Sequence, residues 1–444
     1  MLAKHVLRGS DNPTRNVYGK GLVTEVSQFL FGDGFAVSQG EEWRVRRKAV
    51  GPAIHMKYLE AMMDRVFSAS AIHLADNIQG AADAPKPIDL EEKFSQMTLN
   101  VIGKAVFNYD FEALTKESPV IQAVYTALKE TESRSTDLVR YWKYPALVEA
   151  SKLVSPRQQK AQDAVQVIRD TTDMLIKQCK EMVDAEEMAA ADAAEDYMNE
   201  SDPSILRFLI AAREETTSSQ LRDDLLSMLV AGHETTASAM TWTLNLLAEH
   251  PQEMVKVQEE IDRVMGDREK VTMADYKELK FLMRCVNESM RLYPHPPVLI
   301  RRALVDDNLT VNGKTYTVRK GQDVMISVYN LHRSPDVWDR PNDFIPDRFP
   351  IDDPIPTEQN TDFRYIPFSG GPRKCVGDQF ALMEAVVGLT VVLKRYSFEL
   401  VPGFDPGMTT GATIHTKNGL YLYVKKRPTV ASGSRSESPV SAEA

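Results

Sequence analysis

Apolar residues recur at three- and four-residue spacing through most of the chain. The pattern predicts helices over 57–77, 91–107, 116–135, 152–190, 252–265, 278–292 and 378–395, with the longest run starting at Ser218 and ending near His250-Pro251. Segments near 299–305, 316–318 and 323–329, then 397–400 and 420–424, read as short strands. The fold class is therefore mainly α with small β-sheets, an α+β chain. Leu2 to Leu7 reads as one brief helix, and Gly21–Val26 and Phe29–Phe35 as loop and turn carrying exposed aromatics. No glycine- or proline-rich linker divides residues 1–427, which is compatible with one large domain. The serine- and proline-rich stretch 428–444 reads as a disordered tail, and the acidic run Glu181 to Asp202 as a solvated helix end and a mobile loop.

Inside the longest helical run lies Ala231-Gly-His-Glu-Thr-Thr236. A glycine there costs roughly 0.5 to 1 kcal/mol relative to alanine, and adjacent threonines bring side chains that compete for the backbone. Two readings stay open. The stretch is a tolerated irregularity in a buried helix, or a groove where dioxygen and its waters sit, with Thr235 supplying a hydroxyl and Glu234 an acid.

With 444 residues, 43% of them apolar, the chain can bury a sizeable core. Its three cysteines, Cys179, Cys285 and Cys375, are too few and too scattered for a disulfide framework and fit a reducing compartment. A net charge of -10 without a basic cluster argues against nucleic acid as a partner. No stretch approaches the length of apolar sequence that spans a bilayer, which leaves peripheral membrane association open.

The chemistry concentrates in Phe368-Ser-Gly-Gly-Pro-Arg-Lys-Cys375-Val-Gly377, directly before the helix expected from Asp378. A thiolate there is stabilised by the helix N-terminus. Gly370, Gly371 and Gly377 remove side chains where a large flat group could approach, and Arg373 sets a positive charge near that group's acidic edge. The physical reading is one thiolate ligand to haem iron, with Arg373 pairing to a propionate. A lone cysteine before a helix is more often a small buried hydrophobe, but burial explains neither Phe368, nor the glycines, nor Arg373. Trp43 and Arg47 share a helix face and could both reach the edge of a bound planar acid, or simply pack and solvate. In Val298-Leu-Ile300-Arg-Arg302, the apolar residues could line a pocket and an arginine could meet a carboxylate. Spacing does not choose between the two arginines, and Arg302 is carried as the expected one. Glu288 and Arg291, three apart on a helix, would ordinarily form a surface pair of little worth.

Phe368 to Gly377 resembles the haem-binding signature of the cytochrome P450 monooxygenases. Ala231–Thr236 is similar to that family's oxygen-activation motif, Trp43-x-x-x-Arg47 to its propionate-holding element, and Glu288-x-x-Arg291 to the buried pair that locks onto a later arginine, here Arg348 of Pro346-Asp-Arg-Phe349. Asp347 departs from the commoner glutamate. The resemblance implies a triangular-prism haem domain over 1–427, haem b on Cys375, dioxygen as co-substrate, and proton delivery through Glu234 and Thr235. The chain carries no flavin or nicotinamide fingerprint, so a separate electron donor is expected, ferredoxin with its reductase or a flavoprotein reductase.

A finer likeness rests on Leu30-Phe-Gly-Asp-Gly-Phe35, Glu92-Lys-Phe-Ser-Gln96, Ser204-Ile-Leu-Arg-Phe208, the stretch Glu288–Pro297, Asp362–Phe368 and Met408–His415. These runs resemble the plastid carotenoid ring hydroxylases of plants and algae. They imply 3-hydroxylation of the β-ring of β-carotene or α-carotene in xanthophyll synthesis, within the plastid. Phe31, Phe35, Ala231, Val298, Leu299, Ile300, Thr413 and Ile414 are the expected pocket residues. Such a lining would equally suit a steroid or a fatty acid. A haem-thiolate isomerase or dehydratase of an oxidised lipid, needing no redox partner, is the other alternative, disfavoured by the intact Glu234-Thr235 pair. The chain begins after the family's first helix and strands and lacks a targeting peptide, which reads as truncation.

Overall fold

In the computed structural model the longest apolar-periodic run folds as one unbroken helix, Ser218–Glu249, and the fold is assembled around it. Residues 2–10, 16–84, 86–116, 118–137, 141, 144–189, 204–211 and 218–428 are described. The latter part of the acidic run and the expected tail beyond 428 lie outside them.

Leu225, Leu229, Met240, Leu244 and Leu247 are all buried, as suits a helix surrounded by protein on every side. It packs against helices Leu90–Phe107 and Asp378–Arg395. A glycine lies close to a neighbouring side chain at each crossing. A Cβ on Gly232 would stand 2.6 Å from Ile102 Cδ1, and one on Gly388 would stand 2.5 Å from Met240 Cε. The backbone is helical through Ala231–Thr236, and the glycine read as a weak point lies close against Ile102. Thr235 Oγ1 donates back to the Ala231 carbonyl at 2.7 Å, which satisfies its hydroxyl inside the helix.

The other periodic segments fold close to their expected limits, as Pro119–Thr136, Pro156–Ala189, Pro251–Met265, Lys280–Leu292 and Asp378–Arg395. The 57–77 segment is two α-helices, Met56–Met62 and Ser68–Asn77, joined by a π-helical turn. The region read as loop between Gly21 and Phe35 is instead a helix over Leu22–Phe31, with Val26, Ser27 and Leu30 facing inward. Its flanking glycines, Gly21 at φ 61° and Gly32 at φ 53°, are the helix ends. A helix at Pro145–Val154 was not anticipated either.

Two three-stranded antiparallel sheets flank the helices. One runs Tyr18–Gly19, Val298–Ala303, Asp323–Ser327, with Leu299 opposite Ile326. The other runs Ile88–Asp89, Tyr421–Lys426, Tyr396–Leu400. Asp307–Val311 pairs with Lys314–Val318, and Thr409–Thr410 with Ile414–His415. The last hairpin is fixed to the long helix by Trp242, whose Nε1 donates to the Ile414 carbonyl at 2.8 Å while its ring stacks on Tyr293. Among the described residues, no helix is long and apolar enough to cross a membrane.

Candidate active site

The loop before helix Asp378–Arg395 is folded by its own backbone. Cys375 N–H donates to the Phe368 carbonyl at 3.0 Å and Lys374 N–H to Gly371 at 3.1 Å, with Ser369 and Gly371 at positive φ. The glycines before the cysteine serve protein packing: a Cβ on Gly370 would meet the Phe363 ring at 2.6 Å, and one on Gly371 the Leu7 carbonyl at 2.3 Å. Gly377 differs, with no protein atom where its Cβ would meet a neighbour.

Cys375 is exposed on the wall of a cavity of about 380 Å³, with protein packed densely about its sulfur. Burial raises its thiol above the ordinary value, against the pull of the Gly377 N–H and the charges of Arg47 and Lys374. Across the cavity stand Ala231, Gly232 and Thr235 of the long helix. Phe35, Trp43, Arg47, Leu299, Phe368, Arg373 and Gly377 line it as expected. Arg373 donates to the Ser38 carbonyl and lies over the Trp43 ring, 4.3 Å from its centre. Burial lowers the Arg47 pKa.

Several expected residues are placed elsewhere. Arg302 forms ion pairs with Glu25 and Asp323, 2.6 Å from the latter, on the outer face of the sheet. Its neighbour Arg301 is the one that lines the cavity, held by Ser10 Oγ at 3.1 Å. Strand alternation explains this: side chains of Leu299 and Arg301 share a face, and Val298, Ile300 and Arg302 take the other. Val298 and Ile300 are therefore not among the lining residues. Nor are Phe31, which packs on the core, or Thr413 and Ile414, which the hairpin turns toward the long helix. The lining includes His295, which no spacing pointed to; its Nδ1 accepts from Ile414 N–H at 3.2 Å.

The Cytochrome P450 family model matches residues 1–423. The chain belongs to the cytochrome P450 family. It is 58% identical over 426 residues to Carotene epsilon-monooxygenase, chloroplastic, of Arabidopsis thaliana, covering 96% of this chain and 76% of that protein. It is 48% identical to Protein LUTEIN DEFICIENT 5, chloroplastic, of the same plant, across 96% and 69% of the two chains. With Cytochrome P450 97B2, chloroplastic, of Glycine max the identity is 43%, across 96% and 78%. As a P450 the protein is a monooxygenase that uses haem b and dioxygen, draws electrons from a separate redox partner and binds apolar substrates.

The cavity of this P450 suits haem on its own chemistry. Apolar walls would cover a flat macrocycle, three guanidiniums (Arg47, Arg301 and Arg373) offer partners for its two acid groups, and Cys375 offers a thiolate beside the open space at Gly377.

The P450's Glu288 and Arg291 are fully buried, as the family likeness implied and unlike a surface pair. Glu288 accepts from Arg291 Nε and Nη2, both at 2.8 Å, from Arg348 Nε at 3.2 Å and from Ile345 N–H at 3.0 Å. Arg291 also donates to the His332 carbonyl at 2.7 Å. His332 Nε2 in turn accepts from Ile366 N–H at 2.8 Å, two residues before Phe368, so the network reaches the cysteine loop. Asp347, the departure from the commoner sequence, is exposed and outside it.

Glu234 does not line the P450 cavity. Successive helix residues point about 100° apart, so while Thr235 faces Cys375 across the cavity, the Glu234 carboxylate turns to the 409–415 hairpin. There it accepts from Thr413 Oγ1 at 2.8 Å and pairs with His415 Nε2.

Proposed function

We propose that the chain hydroxylates a ring carbon of a carotene, at C3 of the β-ring, in xanthophyll synthesis within the plastid. The observation that carries the reading is the convergence of Cys375, Thr235 and three guanidiniums on one cavity with mainly apolar walls. The names of the relatives at 58% and 48% identity supply the substrate class and the compartment. Cys375 would ligate the haem iron as thiolate, and Arg47, Arg301, Arg373 and Trp43 would hold the propionates. Haem bound this way supplies the redox chemistry that cleaves the O–O bond. The chain's residues supply the setting. Ile102, Val106 and Leu299 exclude water and bear on the hydrocarbon, Ala231 leaves room beside Thr235, and the Thr235 hydroxyl, its own proton given to the Ala231 carbonyl, turns its lone pairs to the cavity as an acceptor for an arriving proton.

Hydroxylation of the ε-ring of α-carotene is the second reading, favoured by the name of the relative at 58% identity. The test is incubation with ferredoxin and its reductase, offering β-carotene and α-carotene separately, with products placed on each ring by mass spectrometry. β-Carotene has no ε-ring, so its turnover supports the first reading. Turnover of α-carotene at the ε-ring alone replaces it with the second. Turnover of steroids or fatty acids only, or turnover that needs no reductant, refutes both. A carbon monoxide difference spectrum of reduced protein should show a thiolate-type Soret band that Cys375→Ala lacks.

A further inference from the structure

A second cavity, about 610 Å³ in volume, lies on the far side of the 409–415 hairpin and is polar where the first is apolar. Glu91, Ser95, Tyr125 and Thr416 line it, and so does one edge of His415. His415 bridges two carboxylates: Nδ1 faces Glu91 Oε1 at 3.3 Å, and Nε2 meets Glu234. Thr413 Oγ1, 2.6 Å from Nε2, closes the cluster from the hairpin side. We infer that His415 is a proton-relay residue, passing protons from water in this polar cavity to Glu234, which carries them round the long helix to Thr235 in the main cavity. The inference rests on the monooxygenase reading and adds the route by which its protons arrive.

The geometry favours a relay over a plain ion pair. Glu234 is sealed from solvent and from the main cavity alike, so a proton it gives up must be restored through a neighbour. His415 is the titratable group in contact with it that also borders the polar cavity. Burial lowers the His415 pKa, but Glu234 and Glu91 outweigh that and hold it up at about 10, so the ring is an imidazolium at neutral pH. Asp89 and Glu132 add negative charge nearby, Tyr125 sets its ring edge-on, and buried His233 and His295 stay neutral. In the step, the Nε2 proton moves to a Glu234 oxygen, leaving a neutral ring and a neutral carboxylic acid. The acid, no longer held by charge, swings to the cavity face and gives its proton up beside Thr235. The neutral imidazole, also released, reorients to take a proton from cavity water and returns as imidazolium. One proton crosses per cycle with no net change in the protein.

The test compares His415→Gln and Glu91→Gln with wild type in the haem-loaded protein. If His415 relays protons, turnover driven by dioxygen and reductase falls about 10- to 100-fold in His415→Gln, with oxygen diverted to hydrogen peroxide and a larger solvent deuterium effect. Glu91→Gln shifts the pH profile of coupling. Turnover driven by cumene hydroperoxide, which brings its own oxygen and needs no such delivery, stays near wild type in both. A readout independent of substrate is the titration of labelled histidine in the reduced carbon monoxide form: one resonance titrating near pH 10, absent from His415→Gln and moved to lower pH by Glu91→Gln. Unchanged coupling and isotope effect in both variants overturn the inference. So does parallel loss of hydroperoxide-driven and oxygen-driven turnover, which marks a structural role. If wild type oxidises no carotene, the proposed substrate fails by itself, and peroxide partition is read with whichever apolar substrate is turned over.

Discussion

Replacing Glu288 with alanine removes an acceptor that satisfies four donors at once: two from Arg291, one from Arg348 and the Ile345 N–H. Arg291 is then left fully buried without its counter-charge, and Arg348, nearly as buried, loses the same partner. Breaking a buried pair from one side costs about 3–5 kcal/mol, a large part of the ~5–15 kcal/mol that holds a typical domain folded. Urea unfolding followed by tryptophan fluorescence should show a loss of that size. Because Arg291 holds the His332 carbonyl and His332 holds Ile366, the damage should also reach Cys375. In protein that still folds, the thiolate-type carbon monoxide band should weaken in favour of a form lacking thiolate ligation. Asp347→Ala is the control, since that exposed acid should change stability by less than about 0.5 kcal/mol. A Glu288→Ala protein within about 1 kcal/mol of wild type, with its band intact, would refute the reasoning, because a buried charge cluster could not then be what sets the loop.

Arg301→Ala should weaken haem retention by roughly 10- to 100-fold, the worth of about 1.5–3 kcal/mol for hydrogen bonds to a charged group, whereas Arg302→Ala should leave it unchanged; haem transfer to apomyoglobin measures both. Gly371→Ala should cost at least ~2 kcal/mol in chemical denaturation, because its positive φ disfavours a side chain and the added Cβ would sit 2.3 Å from the Leu7 carbonyl, a backbone atom that cannot step aside. Burial holds His233 down to about 4, and His295 and His332 to about 3, so the unfolded chain binds protons that the fold refuses. Their contribution is fully present above pH 6.5 and is lost as pH falls toward 3–4, and unfolding midpoints measured from pH 7 to 4 should drop accordingly.

Strong periodicity made most helices legible, and the order of residues around Cys375, Glu288 and Trp43 located the site before any coordinates. What stayed hidden depended on which way a side chain faces. Arg301 and Arg302 are equivalent until Val298–Ala303 pairs with Asp323–Ser327, and only that pairing turns one inward and the other to Glu25 and Asp323. Glu234 and Thr235 adjoin in sequence, yet Thr235 faces the main cavity while Glu234 turns to the 409–415 hairpin. The helix Leu22–Phe31 was obscured by its own ends, because glycines at helix termini look the same in sequence as glycines in turns. Gly232 has a second side to it: a residue that weakens an isolated helix lets the Ile102 side chain of another pack close. His415 had no legible signal at all, since its partners come from Glu91 and Glu234, far apart in the chain.

The contact between Gly371 and the Leu7 carbonyl joins the helix over residues 2–8 to a loop far from it in the sequence. Residues 2–8 are made before the cysteine loop and keep an unfinished surface until that loop follows. The loop, for its part, finds its backing only when that early helix is still free to dock. Closing so long a span is slow because its entropy is spent before any contact rewards it. The cysteine loop should therefore be among the last parts of the fold to settle, and the haem site with it.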